Sequence, residues 1–398
     1  MKRFIRRRSS EWCERGSSGF ALTRVPWEDA IGRRGRRLRD VGSQRIYTLP
    51  VEQTGWAVGG SFDTIFNWEY DDQRDRLVTL YSKGKQKQWD AEVRIDWDQD
   101  LDPENPMQLA DEYLGIYGTD LWDRMTDKEK VELRVHGQAW QISQFLHGEQ
   151  GALICAAKIV QTVPDIDSKF YAATQVIDEA RHVEVYSRLL HDKFELAYPI
   201  TRPLKEMLEQ VIRDSRWDFT YLGMQVLIEG LALAAFGLIR DFSQNPLASA
   251  VNAYVMQDEA RHVAFGRLSL KDYYPQLTQK ERDEREEFVI EASLLMRDRF
   301  QAEEVWQRLG FPEDDFQQYV ENAPIMIEFR KLLFSRIVPT IKDIGLWGPK
   351  VQKAYAEMGV IDFSQIDPEE ASIQDEAFAD ELDRRKAEVD ATIAAGQN

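Results

Sequence analysis

Asp178-Glu179-Ala180-Arg181-His182-Val183 and Asp258-Glu259-Ala260-Arg261-His262-Val263 are the same hexapeptide, 80 residues apart. The same offset, applied without gaps, carries Glu149 onto Glu229. Each half of the repeat therefore reads Glu, 29 residues, Glu-x-x-His, and duplication is the simple explanation. Two antiparallel helices of about 25 residues joined by a short loop bring positions 30 apart to one level. Within the second helix of each pair, residues i and i+3 share a face.

Working outward, the flanking sequence supplies helix boundaries. Thr126 and Glu129 form a capping box, helical spacing continues over 127–161, and Pro164 ends it. Further helices are predicted over 165–195, 201–214, 217–242, 245–271, 279–309 and 312–344. No alternating β-branched pattern exceeds a few residues, apart from a short hairpin expected before residue 70. Between 41 and 125, a stretch rich in Trp and Asp, only 72–92 reads as helical. The chain is therefore expected to be all-α, a four-helix bundle with extra N- and C-terminal helices. The organisation read from it is a basic arm (1–40), a wrapping segment (41–125), the bundle (126–275), C-terminal helices packed on the bundle (276–360) and an acidic tail (361–398). Within that tail, 367–390 holds 10 Asp/Glu, 3 Lys/Arg and one aromatic, which reads as a solvated helix or frayed end without chemistry.

Composition excludes several classes. With 398 residues, 43% hydrophobic and 30% charged, the chain is long enough for a sizeable core and is not disordered throughout. Two cysteines, Cys13 and Cys155, rule out a disulfide scaffold and a cysteine-rich zinc or iron–sulfur framework, and they fit a reducing cytoplasm. The longest apolar run, 227–239, falls short of the roughly 20 residues of a membrane span and carries Glu229. The start MKRFIRRR lacks the apolar core of a secretory signal. The first 40 residues hold 12 Lys/Arg against 5 Asp/Glu, and the remainder, 39 against 64, carries −25. That distribution is not a nucleic-acid footprint.

The repeated residues carry chemistry. Four carboxylates and two imidazoles converging on a bundle axis are the ligand set of dinuclear carboxylate sites. Four buried carboxylates carry −4, at a cost of several kcal/mol each if left uncompensated, and two divalent cations supply +4. An oxygen-rich, nitrogen-poor set suits iron or manganese better than zinc, and iron comes first. A single Glu-x-x-His on a helix is ordinarily a solvated ion pair; two in register with two matched glutamates argue for metal. Asp178 and Asp258, each next to a motif glutamate, are placed to accept the second ring N–H of a metal-bound histidine, and Arg181 and Arg261 to neutralise them. His136, His147 and His191 have no such company.

At these residues the chain resembles the di-iron carboxylate oxidases and oxygenases of the ferritin-like superfamily, over about 135–270. Upstream, Ile95-Asp96-Trp97-Asp98 and Gly118-Thr119-Asp120-Leu121-Trp122-Asp123-Arg124-Met125 resemble p-aminobenzoate N-oxygenase and its relatives, widening the likeness to about 90–270. The resemblance implies a ferritin-like bundle in which Glu149, Glu179, His182, Glu229, Glu259 and His262 hold two iron ions, Fe/Fe or Mn/Fe. It implies O₂ as co-substrate and oxidation of a small organic molecule by N-oxygenation, hydroxylation or desaturation. Arylamine N-oxygenases add a third histidine one turn before the second Glu-x-x-His; here that position is Val255. Where methane and toluene monooxygenases have a threonine one turn after the third glutamate, this chain has Leu233. Tyr186 lies four residues beyond His182, where ribonucleotide reductase small subunits carry a radical tyrosine, and its repeat-mate is Gly266. A redox relay through Tyr186 is thus an alternative role, with the packed, hydrogen-bonded tyrosine as the plainer one; Gly266 would leave room for substrate. Ala232, Ala234, Ala235 and Gly237 either open a pocket beside Glu229 or permit close helix packing. No glycine-rich dinucleotide fingerprint is present, so electrons are expected from a separate reductase or small reductant. A homodimer is expected from the superfamily alone. The rival functions are a tyrosyl-radical or Mn/Fe oxidase subunit, a ferroxidase, and a metal-bound bundle without turnover.

Overall fold

A computed structural model describes residues 46, 54–70, 74–311 and 313–396 of the chain. The chain divides into two compact units, 1–45 with 49–57 and 46–48 with 58–398, and every helix named below lies in the second. The basic arm 1–40 falls outside the described residues.

Two helical hairpins carry the repeat. The first pairs α4 (Asp127–Thr162) with α5 (Ile166–Arg188), and the second pairs α7 (Trp217–Phe242) with α8 (Pro246–Tyr273). These are the two most extensive helix–helix contacts in the fold. Local chemistry sets their ends. Thr126 and Glu129 close the expected capping box on α4. The connection 163–165 ends on Asp165, whose side chain accepts from the Ser168 N–H, and 243–245 ends on Asn245, which accepts from Ala248 N–H with Pro246 at N1. The intervening α6 (Arg202–Arg213) carries Pro203 in its first turn as expected, although the Thr201 side chain makes no cap bond.

Among the described residues three α-helices precede the bundle, α1 (Asp75–Gln86), α2 (Ala91–Arg94) and α3 (Asp120–Arg124), and α1 packs on α5 and α8. The hairpin expected before residue 70 is not found among the described residues: 54–70 has no regular structure there, and no strand occurs among them. The single helix expected over 72–92 breaks at Lys87, because the residues that follow, Gln88 and Trp89, turn inward to bond buried carboxylates.

The C-terminal half is more fragmented than its periodicity suggests. The stretch 279–309 divides into α9 (Gln279–Asp298) and α10 (Glu303–Leu309), with Ala302 in the left-handed region at the break. Likewise 312–344 divides into α11 (Glu313–Asn322), α12 (Pro324–Leu332) and α13 (Ile337–Asp343). Pro324 cannot continue the preceding helix and opens the next. After α14 (Pro349–Glu357), the acidic stretch is neither frayed nor merely solvated. It forms α15 (Pro368–Gly396), packed along α8 with Asp375, Glu376 and Ala379 buried. Its charges are matched by Arg336 on Asp375 (2.7 Å), Arg94 on Asp383 (2.7 Å) and Gln257 on Asp380 (2.9 Å).

By length and composition α7 is apolar enough to cross a membrane, more so than 227–239 alone indicates. Its most apolar window is 83% buried inside the protein, where it forms one wall of the bundle. Residues Leu222–Ile228 of α7 are wound as a π-helix directly before Glu229, an irregularity that clusters at functional positions.

Candidate metal centre

Hairpin symmetry sets the level of the repeated acids. Glu149 lies 13 residues before the end of α4 and Glu179 lies 13 after the start of α5; Glu229 and Glu259 have the same separations in α7 and α8. At 1.5 Å per residue, all four sit about 20 Å from the hairpin turns. His182 and His262 follow one turn later on the same faces.

All six side chains are buried and meet. Two groups of donor atoms could each hold a cation: Glu149, Glu179, His182 and Glu259 in one, and Glu179, Glu229 and His262 in the other, with Glu179 common to both. His182 Nδ1 lies 3.2 Å from Glu149 Oε2, 3.5 Å from Glu179 Oε2 and 3.1 Å from Glu259 Oε1. His262 Nδ1 lies 3.0 Å from Glu179 Oε1 and 3.3 Å from Glu259 Oε1. Of these approaches only His182 Nδ1 to Glu149 Oε2 is a hydrogen bond. Glu179 Oε2, Glu229 Oε2, both Glu259 oxygens and His262 Nδ1 have no hydrogen-bond partner despite complete burial. Orphaned buried donors and acceptors are costly. Donor atoms that crowd one volume and for the most part leave one another unbonded are arranged to share a third body, and the set fits two divalent cations in charge and chemistry.

The outer nitrogens of the two imidazoles are held crosswise. His182 Nε2 lies 3.1 Å from Asp258 Oδ2, and His262 Nε2 lies 3.3 Å from Asp178 Oδ2, so each repeat's aspartate faces the other repeat's histidine. With the ring proton on Nε2, Nδ1 is free to bind metal. Arg181 bridges both aspartates, at 2.5 Å to Asp178 and 2.8 Å to Asp258, and Arg261 contacts Asp258. Three further residues were not singled out in the sequence. Gln88 donates to Asp178 (2.6 Å), and the Trp89 indole N–H donates to Asp258 (2.8 Å). Gln175 donates from one amide nitrogen to Glu179 (3.0 Å) and Glu229 (2.9 Å). The repeat-mate of Gln175 is Val255, buried and without a donor, so nothing in the duplication announced the glutamine. Gln88 and Trp89 lie outside the repeat altogether.

Burial, reinforced by Glu259, pushes Glu149 and Glu229 well above the usual carboxylate range. Against the opposing penalty of burial, the surrounding carboxylates raise His182 and His262 well above the usual imidazole value. Burial opposes ionisation of Glu179 and Asp258 too, but the two histidines beside the former, and Arg261, His182 and Arg181 beside the latter, overcome it and hold both low.

Beside the cluster lies a small cavity of about 20 Å³ between α4 and α7, lined by Phe145, Glu149, Glu229, Ala232, Phe236 and Arg299 among others. Of the small residues singled out beside Glu229, Ala232 opens onto this cavity, whereas Gly237 serves packing against Met256. Gly266 makes no room for substrate: a Cβ there would lie 2.5 Å from Gln225 Cβ, so the glycine admits the π-wound stretch of α7. Tyr186 is fully buried, its hydroxyl donating to Asn252 Oδ1 (3.1 Å) and its ring packed against Phe145 and Phe236. Burial first, then Glu149 and Glu259, raise its pKa well above the ordinary value. The remaining histidines bond elsewhere: His136 to the Tyr198 hydroxyl, His147 to the Tyr198 carbonyl, His191 to the Ser187 carbonyl.

A helical bundle enclosing this carboxylate and histidine cluster defines the class, a ferritin-like protein with a buried site compatible with iron. Within that class the chain belongs to the P-aminobenzoate N-oxygenase AurF family, whose family model matches residues 70–345. That family is one of di-iron oxygenases, which makes this chain an oxidoreductase by descent. The match opens just before α1, so it includes Gln88 and Trp89, and closes after α13. No curated protein matches the chain.

Proposed function

We propose that the protein is an O₂-dependent di-iron oxygenase acting on a small organic substrate, with Glu149, Glu179, His182, Glu229, Glu259 and His262 as the iron ligands. The observation that carries the reading is the set of buried, unbonded donor atoms in that cluster. Two ferrous ions held there supply the electrons and the Lewis acidity for O₂ reduction. The chain's own residues do the rest. Asp258 and Asp178 fix the imidazole tautomers, and Arg181 and Arg261 balance those aspartates. Gln175 restrains Glu179 and Glu229 through a single amide. Phe145, Leu231 and Phe236 line the cavity beside Glu149 and Glu229 and keep water from the reacting volume. Electrons for repeated turnover come from a separate reductase or a small reductant.

Aromatic amines are the first substrates to test, because the family is named for N-oxygenation of p-aminobenzoate. The position where arylamine N-oxygenases carry a third histidine is Val255, so hydroxylation and desaturation stay among the reactions to be assayed. The test is anaerobic reconstitution with ferrous iron followed by oxygen uptake in the presence of p-aminobenzoate, fatty acids and amino acids, with product analysis. Two irons per chain and substrate-dependent uptake are expected. Fewer than two irons, or iron oxidation with no organic product, would overturn the assignment, the latter in favour of a ferroxidase.

A further inference from the structure

Five arginines are buried among the described residues, and four of them face carboxylates. Arg181 bridges Asp178 and Asp258, Arg261 contacts Asp258, Arg267 pairs with Asp343 (2.9 Å) and Arg285 with Asp218 (2.9 Å). Arg299 differs. It is 7% exposed, its guanidinium donates to Met296 Sδ at 3.6 Å, and it lies 4.9 Å from the Phe300 ring centre. No described carboxylate lies within ion-pair distance of it. Yet Arg299 lines the same cavity as Glu149, Glu229 and Glu259, at the junction of α9 with the bundle.

An isolated buried cation is costly, and arginine cannot relieve the cost by losing its proton at physiological pH. Burial lowers its pKa only to about 10. Once two divalent ions balance the four cluster glutamates, Arg299 is the uncompensated charge of the site. Its planar fork matches a carboxylate in two parallel hydrogen bonds. Apart from Gln144, whose amide is already bonded to the Pro199 carbonyl and the Thr201 N–H, the remaining walls, Phe145, Ile228, Leu231 and Phe236 among them, are apolar. The complementary ligand therefore has one anionic end and an apolar body.

We infer that Arg299 is the specificity-determining residue of the site, binding the carboxylate of a small organic acid whose apolar body lies toward Glu149 and Glu229. This rests on the reading that the substrate reacts beside the glutamate cluster. The cavity of about 20 Å³ holds a single water, so the acid enters as the lining side chains yield.

The test is calorimetric titration of the full-length, ferrous-loaded protein, kept anaerobic, with benzoate and with benzamide, its uncharged counterpart of similar shape. Wild type is expected to prefer benzoate by at least tenfold. Arg299→Gln is expected to lose about 100-fold in benzoate affinity and to bind benzamide as wild type does. Arg299→Lys, which keeps the charge and loses the fork, is expected to fall between, and it decides the matter if the glutamine variant does not fold by circular dichroism. Equal affinity of wild type for the two probes overturns the inference, as does unchanged benzoate binding in either folded variant. Oxygen uptake separates this from the functional assignment. Arg299-dependent binding in a protein that never consumes oxygen sinks the oxygenase reading and leaves the anion site standing. Oxygen consumption without Arg299-dependent binding does the reverse.

Discussion

Asp258 Oδ2 stands 3.1 Å from His182 Nε2, so the aspartate of the second repeat orients the histidine of the first. The reciprocal pair, Asp178 and His262, is built the same way at 3.3 Å. Duplicated halves are thus interlocked: neither imidazole is positioned by its own helix. Trp89 and Arg181 converge on the same Asp258 oxygen, at 2.8 Å each, leaving it little freedom to rotate.

Removing that restraint should weaken metal binding without abolishing it. Substitution of residues that hold a liganding histidine typically costs 10–100-fold in metal affinity. Asp258→Asn is expected to fall in that range, measured by competition with a chelator, and Asp178→Asn likewise. Metal affinity equal to wild type in both variants would show that the crosswise pairs do not orient the ligands.

Stoichiometry distinguishes the shared glutamate from the others. Glu179 contributes to both groups of donor atoms, whereas Glu149 belongs to one and Glu229 to the other. Glu149→Gln and Glu229→Gln are each expected to reduce bound iron from two to about one per chain, and Glu179→Gln to remove most of both. Elemental analysis of protein reconstituted anaerobically checks this. If Glu179→Gln retains two irons, the glutamate does not bridge.

The metal-free protein should lose stability as pH rises. Glu149, Glu229, His182 and His262 all have folded pKa values raised above their unfolded ones. Each contributes stability that is fully present below its unfolded value, about 4.3 for Glu and 6.5 for His, and lost as pH rises through the folded value. Glu179 and Asp258, held low, act in the opposite sense: their contribution is present above about 4 and lost on acidification. A stability maximum in mildly acidic solution follows for the apoprotein, with a declining Tm toward alkaline pH. Two bound cations replace the protons and should flatten the alkaline limb, so melting curves with and without metal, compared across pH, test the whole electrostatic account.

How much of this was legible in the sequence follows from periodicity and duplication. The two hairpins could be read because Thr126, Asp165 and Asn245 cap their helices, Pro164 and Pro246 mark their turns, and the ligands lie at mirrored distances from those turns, all local features. The contributions of Gln88, Trp89 and Gln175 could not, because none is duplicated and each acts across 50 to 170 residues of chain. The π-wound segment of α7 was equally hidden, since its cause is tertiary: Gly266 lets Gln225 approach to a distance that any side chain would block. The burial of the acidic C-terminal helix depends on partners such as Arg94 and Arg336 that composition alone does not pair with it.

Gly266 supplies its own test. Adding a methyl group 2.5 Å from Gln225 Cβ overpacks the helix interface, a change that typically costs 1–3 kcal/mol. Gly266→Ala is expected to destabilise the protein by about that amount in denaturant unfolding and to disturb the glutamine pair, because Gln225 lies 3.5 Å from Gln175. A neutral or stabilising effect would mean that the space at residue 266 is open.

Tyr186 decides between the oxygenase and the radical relay. Its hydroxyl is committed to Asn252 and its ring is wedged between Phe145 and Phe236, the surroundings of a packing residue. Burial keeps the phenol protonated, and oxidation to a neutral radical would need an acceptor for that proton; the amide oxygen of Asn252, an exceedingly weak base, is the group in contact. Tyr186→Phe removes one buried hydrogen bond at a cost of roughly 1 kcal/mol and leaves Asn252 Oδ1 without that donor. Oxygen uptake by the ferrous-loaded variant is therefore expected to stay within about threefold of wild type. No tyrosyl signal should appear by electron paramagnetic resonance when the wild-type protein is mixed rapidly with O₂. A sharp tyrosyl signal that disappears in Tyr186→Phe together with oxygen uptake would instead make the residue an electron relay and the protein a radical-generating oxidase.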